Sequence, residues 1–175
     1  RLAGSDLFVR LYLLAASSGL RIALIGGNPG SADAAAQQLQ IRGGWEGDVV
    51  RTLCPPFGFE RDHAQMQAIS ELLSTWKPHV VFVGLGSPKQ EKLIEAIRPV
   101  LPSAWFLGVG VSFSFVAGEV QRAPAWMQRS GLEWFHRMVQ EPGRLARRYL
   151  VDGIPFALGL MWRAWRNRRL PKTSS

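Results

Sequence analysis

The chain has 175 residues, and 47% of them are hydrophobic, which is enough for one packed domain. The single cysteine, Cys54, excludes an internal disulfide framework, and no apolar run reaches the roughly 18 residues of a membrane-spanning helix. The net charge of +8 is unevenly placed: residues 1–121 hold ten basic and ten acidic residues, whereas residues 122–175 hold eleven and three. We therefore expect a neutral core, residues 1–121, and a basic appendage, residues 122–175.

The first predicted element is a helix over residues 2–16, ending near Gly19, a residue suited to a helix C-cap. Apolar residues at helical spacing predict which side of this helix is buried. The predicted buried face consists of Leu7, Leu11, Leu14 and Ala15.

A strand, a glycine-rich turn and a helix follow. The strand is predicted over residues 21–25, the turn over 26–31 and the helix over about 32–41, with Ser31 as its N-cap. A unit of this kind is typical of an open α/β sheet.

Residues 80–97 repeat the same unit and form its clearest example. Residues 80–83 have the pattern of a buried strand, and a glycine turn leads to a helix in which Ser87 is the predicted N-cap and Pro88 the first residue. The two glycine turns should then face one crevice at the carboxyl ends of their strands. Glycines beside a helix start suit an anion such as a nucleotide diphosphate, although an ordinary surface turn explains this pattern equally well.

Two more strands, over residues 49–53 and 104–109, and a helix over 62–76 complete the core. Repeated strand and helix units predict a parallel sheet with right-handed crossovers. The predicted fold is therefore α/β, a Rossmann-like parallel sheet core with a C-terminal helical appendage.

The end of the basic appendage has an amphipathic pattern. From Ile154 onward, arginines alternate with an apolar stripe that consists of Phe156, Leu160, Met161 and Trp165. This pattern favours an interfacial helix on anionic lipid; a helix packed on the core with its arginines in water is the alternative.

Four motifs follow one another along the chain: GGNPGSA, PPFGF, GLGSPKQE and the run GVGVSFSFVAGEVQRAPAWMQRSGLEWFHRMVQEPGRLARRYL. Their order resembles the WecG/TagA/CpsF family of bacterial glycosyltransferases, and the resemblance covers about residues 1–152. It implies an inverting transfer, without a metal or cofactor, from a UDP-sugar (N-acetylmannosamine or related) to a polyprenyl-diphosphate-linked saccharide. It also implies cell-wall or exopolysaccharide synthesis and a cytoplasmic enzyme, peripheral on the inner face of the bacterial cell membrane.

The resemblance also assigns roles to residues of this chain. Catalytic roles fall to Gln90, Arg137, Arg144 and Arg147, the arginines holding diphosphate charge. The residues expected to bind the nucleotide-sugar are Gly26, Gly27, Asn28, Gly84, Gly86, Pro88, Lys89, Gln90, Glu91 and Ser114.

Two departures from the family pattern bear on activity. Ser114 stands where family members usually have an aspartate, which places the identity or affinity of the donor in question. The family's proposed general base is an aspartate upstream of the matched region, so we expect an N-terminal part of the core to precede Arg1. A chain without that base is expected to be inactive or poorly active.

Two other functions fit parts of the sequence. A catalytically incomplete, transferase-like binding module fits the two departures, and nucleic-acid binding fits the basic appendage alone. Against nucleic acid, the arginines alternate with Trp and Leu at helical spacing. His63, His79 and His136 lack the spacing of metal ligands, so no metal site is predicted, and a homo-oligomer is left open.

Overall fold

The computed structural model describes residues 4–45, 47–120, 124, 126, 127, 130, 132, 136, 139 and 159–162. The chain divides into two compact units, Arg1–Gln121 and Arg122–Ser175. The helices of the first unit are α1 Gly4–Ser17, α2 Ser31–Gly43, α3 His63–Trp76, α4 Lys89–Ile97 and α5 Ser112–Val116. Its strands are β1 Ile22–Gly26, β2 Val50–Leu53, β3 Val80–Gly84 and β4 Trp105–Gly108, and short 3-10 turns cover Phe59–Arg61 and Arg98–Val100.

The four strands form one parallel sheet with the order β2-β1-β3-β4. From β1 the chain moves outward to β2, and it then returns past β1 to β3 and β4. α2 packs on one face of the sheet and α3 and α4 on the other, which is the arrangement that right-handed crossovers give. The predicted α/β fold with a parallel sheet is confirmed.

Both faces of the sheet are buried, because successive residues of a strand point to opposite sides. On β1, Ile22 and Leu24 join the cluster with α1, α2 and α5, whereas Ala23 and Ile25 join the cluster with α3 and α4. The apolar run of each central strand is therefore explained by two separate cores.

The predicted buried face of α1 is wrong in part. Leu7 and Leu14 are exposed and Leu11 is only half-buried, while the buried residues are Phe8, Tyr12, Ala15 and Ala16. The rings of Phe8 and Phe82 lie 4.9 Å apart, edge to face. Two adjacent stripes of α1 are apolar, and the stripe with the aromatic rings buries more area and faces the sheet.

Both predicted serine N-caps are also wrong. Gly30, with φ +80°, is the N-cap of α2, and the Ser31 hydroxyl donates instead to the Asn28 carbonyl at 2.9 Å. Pro88 is the N-cap of α4, so the helix begins one residue later than predicted. Neither cap makes a side-chain bond, and pattern alone locates a helix start only to within a residue or two.

The second unit is described in part. Residues 159–162 are helical, and Leu160 and Met161 are exposed there. Most of the amphipathic segment predicted from Ile154 onward lies outside the described residues. No helix in the described part of the chain is long and apolar enough to cross a bilayer.

Candidate functional site

The two glycine turns meet at the carboxyl edge of the sheet. Gly26 at the end of β1 lies beside Gly84 at the end of β3, and the Gly27 N–H donates to the Gly84 carbonyl at 2.8 Å. The strand order reverses between β1 and β3, so the following helices, α2 and α4, diverge to opposite faces. The crevice left between them is where open α/β sheets bind ligands. The structure thus brings the two turns together, as the sequence predicts.

The turns require glycine because they press against the ring of Phe113 on α5. Gly27 has φ +88°, and a Cβ there would lie 2.4 Å from Ser31 Oγ and 3.1 Å from the Phe113 ring. A Cβ on Gly84 would lie 2.6 Å from two atoms of the same ring. Phe113 is fully buried, and it supports both turns from beneath.

Polar groups meet at Asn28, in the first of these turns. Its Nδ2 donates to Ser114 Oγ and to Glu119 Oε2, each at 3.3 Å. Ser114 is buried while Glu119 is exposed, and the Glu119 N–H donates to the Ser114 carbonyl at 3.0 Å. An amide, a hydroxyl and a carboxylate at one point can bind the hydroxyl groups of a ribose or a sugar.

Gln90, in the first turn of α4, reaches the neighbouring strand. Its Oε1 accepts the Gly110 N–H at 3.0 Å, and its Nε2 donates to Glu91 Oε1 at 2.9 Å. A Cβ on Gly108 would lie 2.7 Å from Gln90 Cδ, so the amide lies over the end of β4. The hydrogen bond from Gln90 holds the pKa of the Glu91 carboxyl below its usual value.

The side chain of Lys89 extends in a different direction from the other residues expected to bind the nucleotide-sugar. Its Nζ lies 2.7 Å from Glu60 Oε1 and 4.5 Å from the ring centroid of Phe57, in a separate groove. Gly86, with φ +74°, and Pro88 form the turn that leads into α4. The three predicted arginines, Arg137, Arg144 and Arg147, lie outside the described residues.

Comparison with known proteins shows the family of the chain. The family model described as Glycosyl transferase WecG/TagA/CpsF family matches residues 1–170. The chain belongs to the WecG/TagA/CpsF glycosyltransferase family. The resemblance drawn from the motifs is confirmed, and the family is one of enzymes that transfer a glycosyl group.

Cys54 lies at the rim of the crevice, with its Sγ 3.6 Å from the Gly27 carbonyl. Burial and the nearby Asp33 carboxylate raise the pKa of the Cys54 thiol, so it stays protonated at neutral pH. A protonated thiol is a poor nucleophile, and we assign Cys54 no chemical role. Within the described ranges, no group of three or more His, Cys, Asp or Glu side chains is arranged to hold a metal ion.

Sequence reasoning missed two residues of this candidate site. Phe113 looks like any core aromatic, and only its contact with two separate turns shows its importance. Glu119 lies in a polar loop, where a carboxylate usually faces water. Its one sequence signal is its place just beyond a glycine and a buried apolar segment.

Proposed function

We propose that this glycosyltransferase moves a sugar from UDP-N-acetylmannosamine, or a related UDP-sugar, to a polyprenyl-diphosphate-linked saccharide. The transfer inverts the anomeric centre and uses no metal ion. It serves cell-wall or exopolysaccharide synthesis at the inner face of the bacterial cell membrane. The observation that carries the proposal is the junction of two glycine turns at the β1–β3 reversal, in a chain of a glycosyltransferase family.

The donor's diphosphate is assigned to this junction. The N-termini of α2 and α4 lie at the same sheet edge, and each carries partial positive charge that favours an anion. Asn28, Ser114 and Glu119 are assigned to the hydroxyl groups of the nucleoside or the sugar. Gln90 is assigned a direct polar contact with the donor, because its amide can exchange the Gly110 N–H for a ligand group.

The reaction requires positive charge at the leaving group. The acceptor hydroxyl attacks the anomeric carbon, the bond from that carbon to the diphosphate oxygen breaks, and UDP leaves with the electron pair. The hydroxyl proton passes to a base. Without a metal, fixed donors and cations must stabilise the charge that develops on UDP. Arg137, Arg144 and Arg147 are proposed for this role because guanidinium groups match phosphate oxygens.

A membrane location is proposed from the charge distribution. Residues 122–175 carry eleven basic and three acidic residues, and basic residues are attracted to anionic lipid. The lipid-linked acceptor is anchored in the membrane, so it would meet the enzyme at the membrane surface.

A transfer assay on the full-length protein tests the proposal. With UDP-N-acetylmannosamine and a short-chain polyprenyl-diphosphate-linked N-acetylhexosamine, we expect UDP release that depends on the acceptor and persists in EDTA. The proton NMR spectrum of the product should show an inverted anomeric configuration. UDP binding without turnover would select the non-catalytic binding module instead, and a retained configuration or loss of activity in EDTA would refute the mechanism.

A further inference from the structure

A second concave site lies beside the crevice, between α4 and the segment that precedes and begins α3. It is a groove of about 540 Å³, within the size range of small-molecule sites. We name it the Phe57 groove. Its apolar lining includes Phe57, Met66 and Leu93, and its cations are Arg61, Lys89 and Lys92.

Phe57 is the most unusual residue of this groove. Its side chain is 98% exposed, at the tip of a loop in which Pro55 and Pro56 restrict the backbone and Gly58, with φ +86°, turns the chain. The ammonium of Lys89 lies 4.5 Å from the ring centroid, a cation–π distance. The Phe57 ring therefore stays exposed to water at the groove, although the ammonium of Lys89 contacts it.

The groove carries uncompensated positive charge. Lys89 is paired with Glu60, and its hydrogen bond holds the pKa of the Glu60 carboxyl below the usual value, so these two charges cancel. In the described part of the chain, no carboxylate lies within salt-bridge distance of Arg61 or Lys92. The charge of Arg61 also helps to lower the pKa of the Glu60 carboxyl, so the lining as a whole holds three cations against one carboxylate. This net positive charge beside apolar walls suits an amphiphilic anion, a molecule that joins an apolar chain to a phosphate or diphosphate.

We propose that the Phe57 groove binds the diphosphate and the adjoining isoprene units of the lipid-linked acceptor. Naming this amphiphile as the acceptor rests on the proposed function. Lys89 and Gln90 are consecutive residues of α4, yet one side chain reaches the groove and the other the end of β4. One helical turn thus joins the groove to the donor crevice, and a transferase needs its two substrates side by side.

Calorimetric titration of the full chain tests this assignment. We expect farnesyl diphosphate to bind, and farnesol and inorganic pyrophosphate each to bind at least about tenfold more weakly, because each lacks one half of the amphiphile. Phe57→Ala and Lys92→Gln should each lower the affinity for farnesyl diphosphate by about fivefold or more. The affinity for UDP should stay unchanged, because neither side chain belongs to the donor crevice. The midpoint of thermal unfolding should also stay unchanged, because both side chains are exposed. Arg10→Gln, a charge loss at an exposed position of α1, is the matched control and should have no effect.

Three results would overturn the assignment. The first is that both groove variants bind farnesyl diphosphate as the unaltered chain does. The second is that UDP displaces farnesyl diphosphate competitively, which would mean one shared site. The third is that the variants lose sedimentation with phosphatidylglycerol vesicles while keeping their affinity for farnesyl diphosphate, which would make this face a membrane contact. If UDP fails to bind while farnesyl diphosphate behaves as expected, the donor assignment fails and the groove assignment stands.

Discussion

Replacing Phe113 with alanine should lower the free energy of unfolding by about 3–5 kcal/mol, the usual loss for a large aromatic truncated in a core. The ring is fully buried, and its centroid lies 5.4 Å from that of Phe8. It also fills the space directly beneath Gly27 and Gly84, so its loss would leave a cavity under both turns. Urea unfolding followed by circular dichroism measures the change.

Phe57→Ala is the matched control for this prediction. The same atoms are removed, but the Phe57 ring is 98% exposed, so the free energy of unfolding should change by less than about 0.5 kcal/mol. Equal effects of the two substitutions would show that Phe113 does not support the turns in the way the structure indicates.

Gln90→Glu should reduce UDP affinity by about tenfold or more, equivalent to about 1.4 kcal/mol, with little loss of stability. A glutamate at this position still accepts the Gly110 N–H, so the local fold is retained. It loses the Nε2 donor, however, and places a second negative charge beside Glu91, facing the proposed diphosphate. Isothermal calorimetry with UDP measures the affinity.

Gln38→Glu supplies the control for the added charge. Gln38 is exposed on α2, and the same substitution there changes the net charge equally. If Gln38→Glu lowers the affinity for UDP as much as Gln90→Glu does, the effect comes from overall charge, and Gln90 does not contact the nucleotide.

The order of the elements could be predicted because its signals are local. Apolar runs indicate the strands of the core, and the repeated strand and helix units indicate their parallel arrangement, which requires the two glycine turns to share an edge. The buried face of α1 was not decided locally. Phe8 and Tyr12 turn inward because of the distant Phe82, a partner that no helical periodicity reveals.

The directions of the side chains in the site could not be predicted from the sequence either. Ser31 looks like an N-cap, yet its hydroxyl is taken by the carbonyl of Asn28. Lys89 appears beside Gln90 in the sequence, but Glu60 and Phe57 from another loop draw it away from the crevice. These outcomes depend on which loops meet in space, and that follows from the fold rather than from residue spacing.

Amide NMR of the full chain during titration with UDP tests the assignment of the nucleotide to the junction of the two turns. Glycine amides distinguish the crevice from other parts of the chain. The crevice is represented by Gly27, Gly84 and Gly86. Gly58 represents the Phe57 groove, and Gly44, the C-cap of α2, represents a position away from both. We expect the amide shifts of the first three to move together at one UDP concentration and those of Gly44 and Gly58 to stay in place. Saturable UDP binding that moves Gly44 or Gly58 and leaves Gly27 and Gly86 unmoved would contradict the account.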